Sequence, residues 1–140
     1  MPRARPGPRK ARPDDADHVP AGTWRGRFRL WIDIKERGSL GPGKLRLLDA
    51  IASKKSLAAA AKGLRMSYRL AWEHVRLIEE RARITVVEPR RGGRGGGGTE
   101  LTPEGEALVK AYRGFRRDME RKTEAAFRRH FGPWLSGQRD

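Results

Sequence analysis

The chain has 140 residues, 36% hydrophobic and 35% charged, which suits one domain with a single core. Lys and Arg number 32 against 17 Asp and Glu, and this net charge of +15 favours a polyanionic partner. Cysteine is absent, which excludes disulfides, thiolate metal ligands and thiol nucleophiles. The three histidines are scattered at positions 18, 74 and 130, so we predict no metal site and no cofactor.

Residues 1–22 are rich in Pro, Arg and Ala, which predicts a disordered basic arm. The arm contains five basic and three acidic residues, so a net charge of +13 remains in residues 23–140. Composition leaves open whether the arm binds phosphates or is only a solvated leader. It lacks the apolar segment of a signal peptide, and no apolar run reaches the roughly 18–20 residues of a membrane span. We therefore expect a cytoplasmic protein without a membrane partner.

Ordered structure is predicted to begin near Trp24. Apolar residues at 28, 30, 32 and 34 alternate with mostly charged ones, the pattern of a half-buried strand. Three helices are then predicted over about 43–53, 57–64 and 68–82, with Ser56 and Ser67 as the N-caps of the second and third. The third helix has an apolar stripe at the helical period, which we assign to the core: Ala71, Val75, Ile78 and Ala82.

The opposite face of the third helix is a polar ridge with the same spacing: Arg69, Glu73, Arg76 and Glu80. A short helix followed by a helix with a polar N-terminus is the arrangement that enters the DNA major groove. Taken alone, such a ridge more often indicates a helix face that is only solvated. Trp72 is expected to be partly buried against the second helix.

The following residues favour DNA binding. A strand is predicted over 84–90, a glycine-rich basic turn over 91–98 and a short return strand over 99–101, which together form a wing. Thr102 is the predicted cap of a long helix that starts at Pro103 and reaches about residue 131, before Gly132 and Pro133.

An apolar row follows this last helix: Leu108, Tyr112, Phe115, Met119 and Ala126. A small domain cannot cover so long a row, so we interpret it as the interface of a homodimer. Packing of the row back onto its own domain is the competing interpretation.

Two pieces of sequence carry a resemblance to a known family. They are Ser67-Tyr68-Arg69-Leu70-Ala71-Trp72, and the glycine wing of residues 92–98 followed by Leu101-Thr102-Pro103-Glu104-Gly105. With these, the stretch 43–131 resembles the N-terminal DNA-binding domain of ModE-type molybdenum-responsive regulators, within the LysR-like winged-helix group. The resemblance implies a homodimer built by the long last helix and the first strand. It also implies that the third helix reads DNA, with Ser67, Tyr68 and Arg69 at positions that meet bases or phosphates. The wing, with Arg94 at its tip, would contact the DNA backbone.

The sequence departs from this family in two places. Arg65 stands in the turn before the third helix where glycine is usual, so a left-handed backbone or an altered turn is expected there. Full-length members carry molybdate-binding modules after the DNA-binding domain, whereas this sequence stops at Asp140. We therefore expect no molybdate binding by this chain.

The fold predicted from the sequence is mainly α with a small β-wing: a winged helix-turn-helix with an N-terminal strand and a C-terminal dimerisation helix over about 103–131. The predicted partner is double-stranded DNA, with these contact residues: Ser56, Ser67, Tyr68, Arg69, Glu73, Arg76, Arg90, Arg91 and Arg94. Carboxylates facing DNA favour sequence-specific regulation, while the charge of +15 leaves an architectural DNA binder with little specificity as the alternative. Gly93, Gly95 and Gly98 match a dinucleotide motif only trivially, because no helix directly follows, so no enzyme is predicted.

Overall fold

The computed structural model describes residues 24–90 and 98–137, and the predicted arm lies outside them. In chain order the elements are β1 (Ile32–Ile34), β2 (Gly38–Leu40), α1 (Pro42–Lys54), α2 (Leu57–Gly63), α3 (Tyr68–Ala82), β3 (Val87–Arg90), β4 (Gly98–Leu101) and α4 (Pro103–Gly137). The strands form two antiparallel hairpins, β1 with β2 and β3 with β4. This is the predicted mainly α fold with a small β-wing. No helix in the described ranges combines the length and the apolar character that a membrane crossing requires.

The core lies where α1, α2 and α3 meet. Leu45, Leu48 and Ile51 form the buried face of α1, and the predicted stripe of α3 is buried at its first three positions. Between them α2 contributes Ala60 and Ala61, whose small side chains let the helices approach closely. Burial of each large aliphatic side chain contributes roughly 1.5–3 kcal/mol, so this contact fixes the orientation of α3.

The N-terminal strand is much shorter than the sequence pattern predicts. Residues 26–34 keep the predicted alternation, with even positions half-buried and odd positions exposed, but only Ile32–Ile34 is strand. These three residues pair with β2, which the sequence analysis missed. The turn carries Glu36 at φ 64° and Gly38 at φ 105°, and the Arg37 amide donates to the Ile34 carbonyl at 2.9 Å. A three-residue loop closed by glycine is a recognisable hairpin signal.

Helix α4 does not stop before Gly132, as predicted, but continues to Gly137 with Pro133 inside it. A proline within a helix removes one hydrogen bond and crowds the preceding turn, at a cost of about 3 kcal/mol. Aromatic contacts on both sides of Pro133 offset this cost. Phe127 and Phe131 stack with centroids 4.9 Å apart, and Trp134 lies 5.1 Å from Trp24 of the N-terminal segment.

The start of α4 is fixed by the predicted cap. The Thr102 hydroxyl accepts a hydrogen bond from the Gly105 amide at 3.0 Å and donates one to the Thr85 carbonyl at 2.5 Å. The Thr102 amide also donates to the Val86 carbonyl at 3.0 Å. The wing and the long helix are thereby joined at one buried point.

Candidate nucleic-acid interface

The N-termini of α2 and α3 are held by local hydrogen bonds that the sequence predicted. The Ser56 hydroxyl accepts from the Ala59 amide and the Ser67 hydroxyl from the Leu70 amide, both at 3.1 Å. Arg65 has φ 55°, which confirms the expected left-handed backbone at the position where glycine is usual. These contacts present the first turn of α3 at the surface.

The polar ridge of α3 is exposed as predicted. Arg69 has 92% of its side chain accessible, and its Nε lies 3.6 Å from Oε1 of Glu73 one turn later. Arg76 and Glu80 continue the exposed row. An exposed pair of this kind is worth only about 0.3–0.5 kcal/mol, so both side chains can exchange it for contacts with a ligand.

Trp72 is only partly covered, and the contact that its ring makes is with Tyr68 of the same helix. The side chain is 43% exposed, and its ring meets the 55%-exposed Tyr68 edge-on, with centroids 6.2 Å apart. The reason is geometric: Tyr68 and Trp72 are one turn apart on the same side of α3, outside the core stripe. Leu70 on the same helix is 40% exposed. The contact residues predicted from the sequence include neither Trp72 nor Leu70.

The wing is a regular hairpin in which Val87 pairs with Leu101 and Arg90 with Gly98. The Thr99 amide donates to the Lys55 carbonyl at 3.2 Å, which ties the wing to the end of α1. Arg90 is half-buried at the last described position of β3. Arg91 and Arg94, two predicted contacts, lie outside the described residues.

The apolar row of α4 divides into two parts. Tyr112 is 4% exposed and Leu108 packs against the same core, so these two residues belong to their own domain, as the competing interpretation held. Phe115 is 49% exposed, and Met119 and Ala126 are partly buried. The surface available to a second copy therefore begins at Phe115.

His74 lies beside the core stripe of α3 with its Nδ1 buried, and within the described ranges this atom has no hydrogen-bond partner. Burial lowers the pKa of the His74 imidazole, the positive charge of Lys44 on α1 lowers it further, and Glu73 acts in the opposite direction. Burial and Arg81 likewise lower the pKa of Lys44. The contact between α1 and α3 thus favours a neutral histidine.

Acidification is therefore expected to destabilise the fold through His74. Because the folded-state pKa lies below the ordinary value of 6.5, the unfolded chain binds this proton first. Stability is then lost as the pH falls below about 6.5, and this loss stops below the folded-state pKa. We expect the urea midpoint to fall between pH 7.5 and 5.5 more in the wild type than in His74→Gln. Equal decreases of the urea midpoint in the two proteins would exclude His74 as the source of the pH dependence.

Comparison with known proteins finds relatives of this arrangement. Residues 42–106 match the family described as bacterial regulatory helix-turn-helix protein, lysR family. The molybdenum-pterin-binding protein MopB of Rhodobacter capsulatus is 36% identical over 88 residues, which are 62% of this chain and 33% of MopB. The transcriptional regulator ModE of Haemophilus influenzae is 34% identical over 83 residues, 59% of this chain and 32% of ModE. The chain thus spans about a third of the length of these curated relatives.

The fold also matches solved structures. The crystal structure of a CbnR_DBD–DNA complex aligns with a TM-score of 0.51 and 26% identity, covering 60% of this chain and 91% of that chain. The aligned architecture is the winged helix-turn-helix described above. Residues 42–106 of this chain are therefore similar to the bacterial regulatory helix-turn-helix proteins of the lysR family, and the relatives that share this stretch include ModE-type regulators.

Proposed function

We propose that the protein is a cytoplasmic, sequence-specific transcription regulator that binds DNA as a homodimer with α3 in the major groove. The observation that carries the proposal is the exposed ridge of α3 on a helix whose N-terminus is rigidly capped. A major groove admits one α-helix, and base edges are read by side chains near its start. A ModE relative is named a transcriptional regulator, and the CbnR_DBD structure is a complex with DNA.

Arg69 and Glu73 are the proposed base-reading pair. A guanidinium donates two parallel hydrogen bonds to guanine O6 and N7, and a carboxylate accepts from cytosine N4. Their separation of 3.6 Å brings both chemistries to one site on the helix. Arg76, one turn further along the same exposed face, extends the contact.

Phosphate contacts surround this pair. The oxygens of Ser56 and Ser67 accept from the helix amides, so each hydroxyl proton remains available to donate to a phosphate. Tyr68 is exposed at the first position of α3, on the side from which bases are read, and is not one of these phosphate contacts. On the wing, Arg90 and, from the sequence, Arg91 and Arg94 are suited to follow the DNA backbone.

The dimer is inferred from α4. Its 35 residues span about 52 Å, yet its buried residues are Gly105, Val109 and Tyr112, all in the first three turns. The remaining length carries Phe115, Met119 and Ala126, the proposed interface. A two-fold axis along this surface would present two copies of α3 to major grooves about 34 Å apart.

The proposal is tested by selection of bound duplexes from a randomised pool, followed by titration of the selected and a scrambled duplex at several salt concentrations. We expect the selected duplex to bind at least about 10³-fold more tightly near physiological salt. Steep salt dependence with equal affinities would instead support an architectural DNA binder, the alternative that the charge of +15 suggests. Sodium molybdate added to the same titration is expected to change neither affinity.

Replacement of Arg69 by alanine is expected to weaken binding to the selected duplex by about 1–3 kcal/mol and to relax the preference at one base position. The substitution removes a bidentate donor without touching the core, because the side chain is exposed. Competition with single-base variants of the duplex measures this effect. An equal loss on scrambled DNA would reassign Arg69 to a phosphate.

Replacement of Arg90 by alanine is expected to weaken binding to all duplexes by a similar factor. It is also expected to reduce the slope of log affinity against log salt concentration by about one unit. The reason is that one phosphate contact releases about one counterion. Anisotropy titration over a range of KCl concentrations measures the slope. An unchanged slope would show that Arg90 on β3 makes no phosphate contact.

A further inference from the structure

Tyr68 and Trp72 form an exposed aromatic pair, called the aromatic edge below, on one side of the polar ridge. The two residues are 55% and 43% exposed, and their rings meet at an interplanar angle of 89°. Large apolar side chains exposed together on a small domain commonly mark a contact surface. Their mutual contact restricts the rotamers of both rings, so the edge is held in place before anything binds.

The helical repeat places the aromatic edge next to the base-reading residues. At 3.6 residues per turn, Trp72 lies about 40° from Tyr68 around the helix axis, and Arg76 and Arg69 follow at about 80° and 100°. The buried stripe of Ala71, Val75 and Ile78 lies on the other side of Tyr68. The edge and the ridge thus form one continuous exposed surface along the first two turns of α3.

The chemistry of the major groove offers one match for such an edge. The base-pair edges there present hydrogen-bond donors and acceptors, and the C5-methyl group of thymine is the apolar group among them. We propose that Tyr68 and Trp72 bind thymine methyl groups and so specify thymine beside the bases read by Arg69. This inference rests on the proposed function and adds a second kind of base recognition to it.

The expected size of the effect follows from burial of one methyl-sized group, which is about fourfold in affinity, equivalent to about 0.8 kcal/mol. A homodimer makes the contact in both half-sites, so removal of both methyls is expected to cost about 15-fold. Hydrogen bonds to the bases are untouched by such a change, since only the methyl group is lost.

The test uses the duplex selected from the randomised pool and replaces its thymidines one at a time by deoxyuridine, which lacks only the C5-methyl group. The wild-type protein is expected to lose about fourfold in affinity at one or more positions in each half-site. Trp72→Ala and Tyr68→Ala are expected to bind less tightly and to have lost this sensitivity. Trp31→Ala removes a similarly exposed indole outside α3 and is expected to keep it.

A complementary substitution tests the same contact by gain. Replacement of the sensitive thymine–adenine pair by a cytosine–guanine pair is expected to weaken binding. Because 5-methylcytosine carries a methyl group at the same ring position, it is expected to recover part of the lost affinity. Circular dichroism of both α3 variants shows whether they are folded, and the deoxyuridine series with the wild-type protein needs no variant.

The outcomes separate the inference from the function that it extends. A selected duplex whose affinity is the same with and without every thymine methyl overturns the aromatic edge and leaves sequence-specific binding standing. A methyl dependence that persists in both Trp72→Ala and Tyr68→Ala also overturns it. Failure to enrich any sequence from the pool overturns both the inference and the proposed function.

Discussion

Replacement of Phe115 by glutamate is expected to convert a dimer into monomers and to weaken DNA binding at least about 100-fold. Phe115 is 49% exposed within its own domain, so glutamate there is solvated in the monomer and should leave the fold intact. At the proposed interface the same carboxylate would be buried without a partner, at a cost of about 3–5 kcal/mol. Light scattering at micromolar concentration measures the oligomeric state, and anisotropy measures the affinity.

The matched control is Arg117→Gln. It changes the net charge by the same amount and lies on the opposite side of α4, about 200° from Phe115 around the helix axis. Arg117 is exposed, so this variant is expected to remain dimeric. A Phe115→Glu protein that stays dimeric, with unchanged affinity, would place the interface elsewhere.

Replacement of Gly105 by alanine is expected to destabilise the fold by about 3 kcal/mol, at the upper end of the range for overpacking. A Cβ at this buried position would overlap the Val86 carbonyl oxygen and lie 3.1 Å from the carbonyl carbon. That carbonyl cannot easily move away, because it accepts the Thr102 amide at 3.0 Å. Urea unfolding followed by circular dichroism measures the loss.

Gly114→Ala is the control within the same helix. Among the described residues, nothing apart from the adjoining backbone of α4 lies within 4 Å of the added Cβ, so the expected effect is the better helix propensity of alanine, a gain of up to about 1 kcal/mol. If Gly105→Ala were as stable as Gly114→Ala, the close approach of α4 to Val86 would be wrong.

Elements with local causes were predictable from the sequence. Ser56, Ser67 and Thr102 each cap a helix with the hydrogen bond that their position predicted. The left-handed backbone of Arg65 was expected from the turn that it occupies. Such features depend on a few neighbouring residues, so the pattern of side chains determines them directly.

Features that depend on distant contacts were not predictable in this way. The alternation in residues 26–34 was read correctly, but the extent of the strand depends on its partner, and β2 is only three residues long. The continuation of α4 through Pro133 depends on contacts with Trp24, more than 100 residues earlier. Tyr112 and Phe115 share one apolar row, and only the packing of α4 on α1 separates the buried ring from the exposed one.

The most direct test of sequence-specific binding by paired α3 helices is methylation protection with dimethyl sulfate, which reacts with guanine N7 in the major groove. On the selected duplex with the wild-type protein, we expect two clusters of protected guanines centred about 10 base pairs apart. The Arg69→Ala variant, added at saturation, is expected to lose protection at one guanine in each cluster. Protection spread evenly along the duplex, or no protection of any guanine, would contradict sequence-specific binding by paired α3 helices.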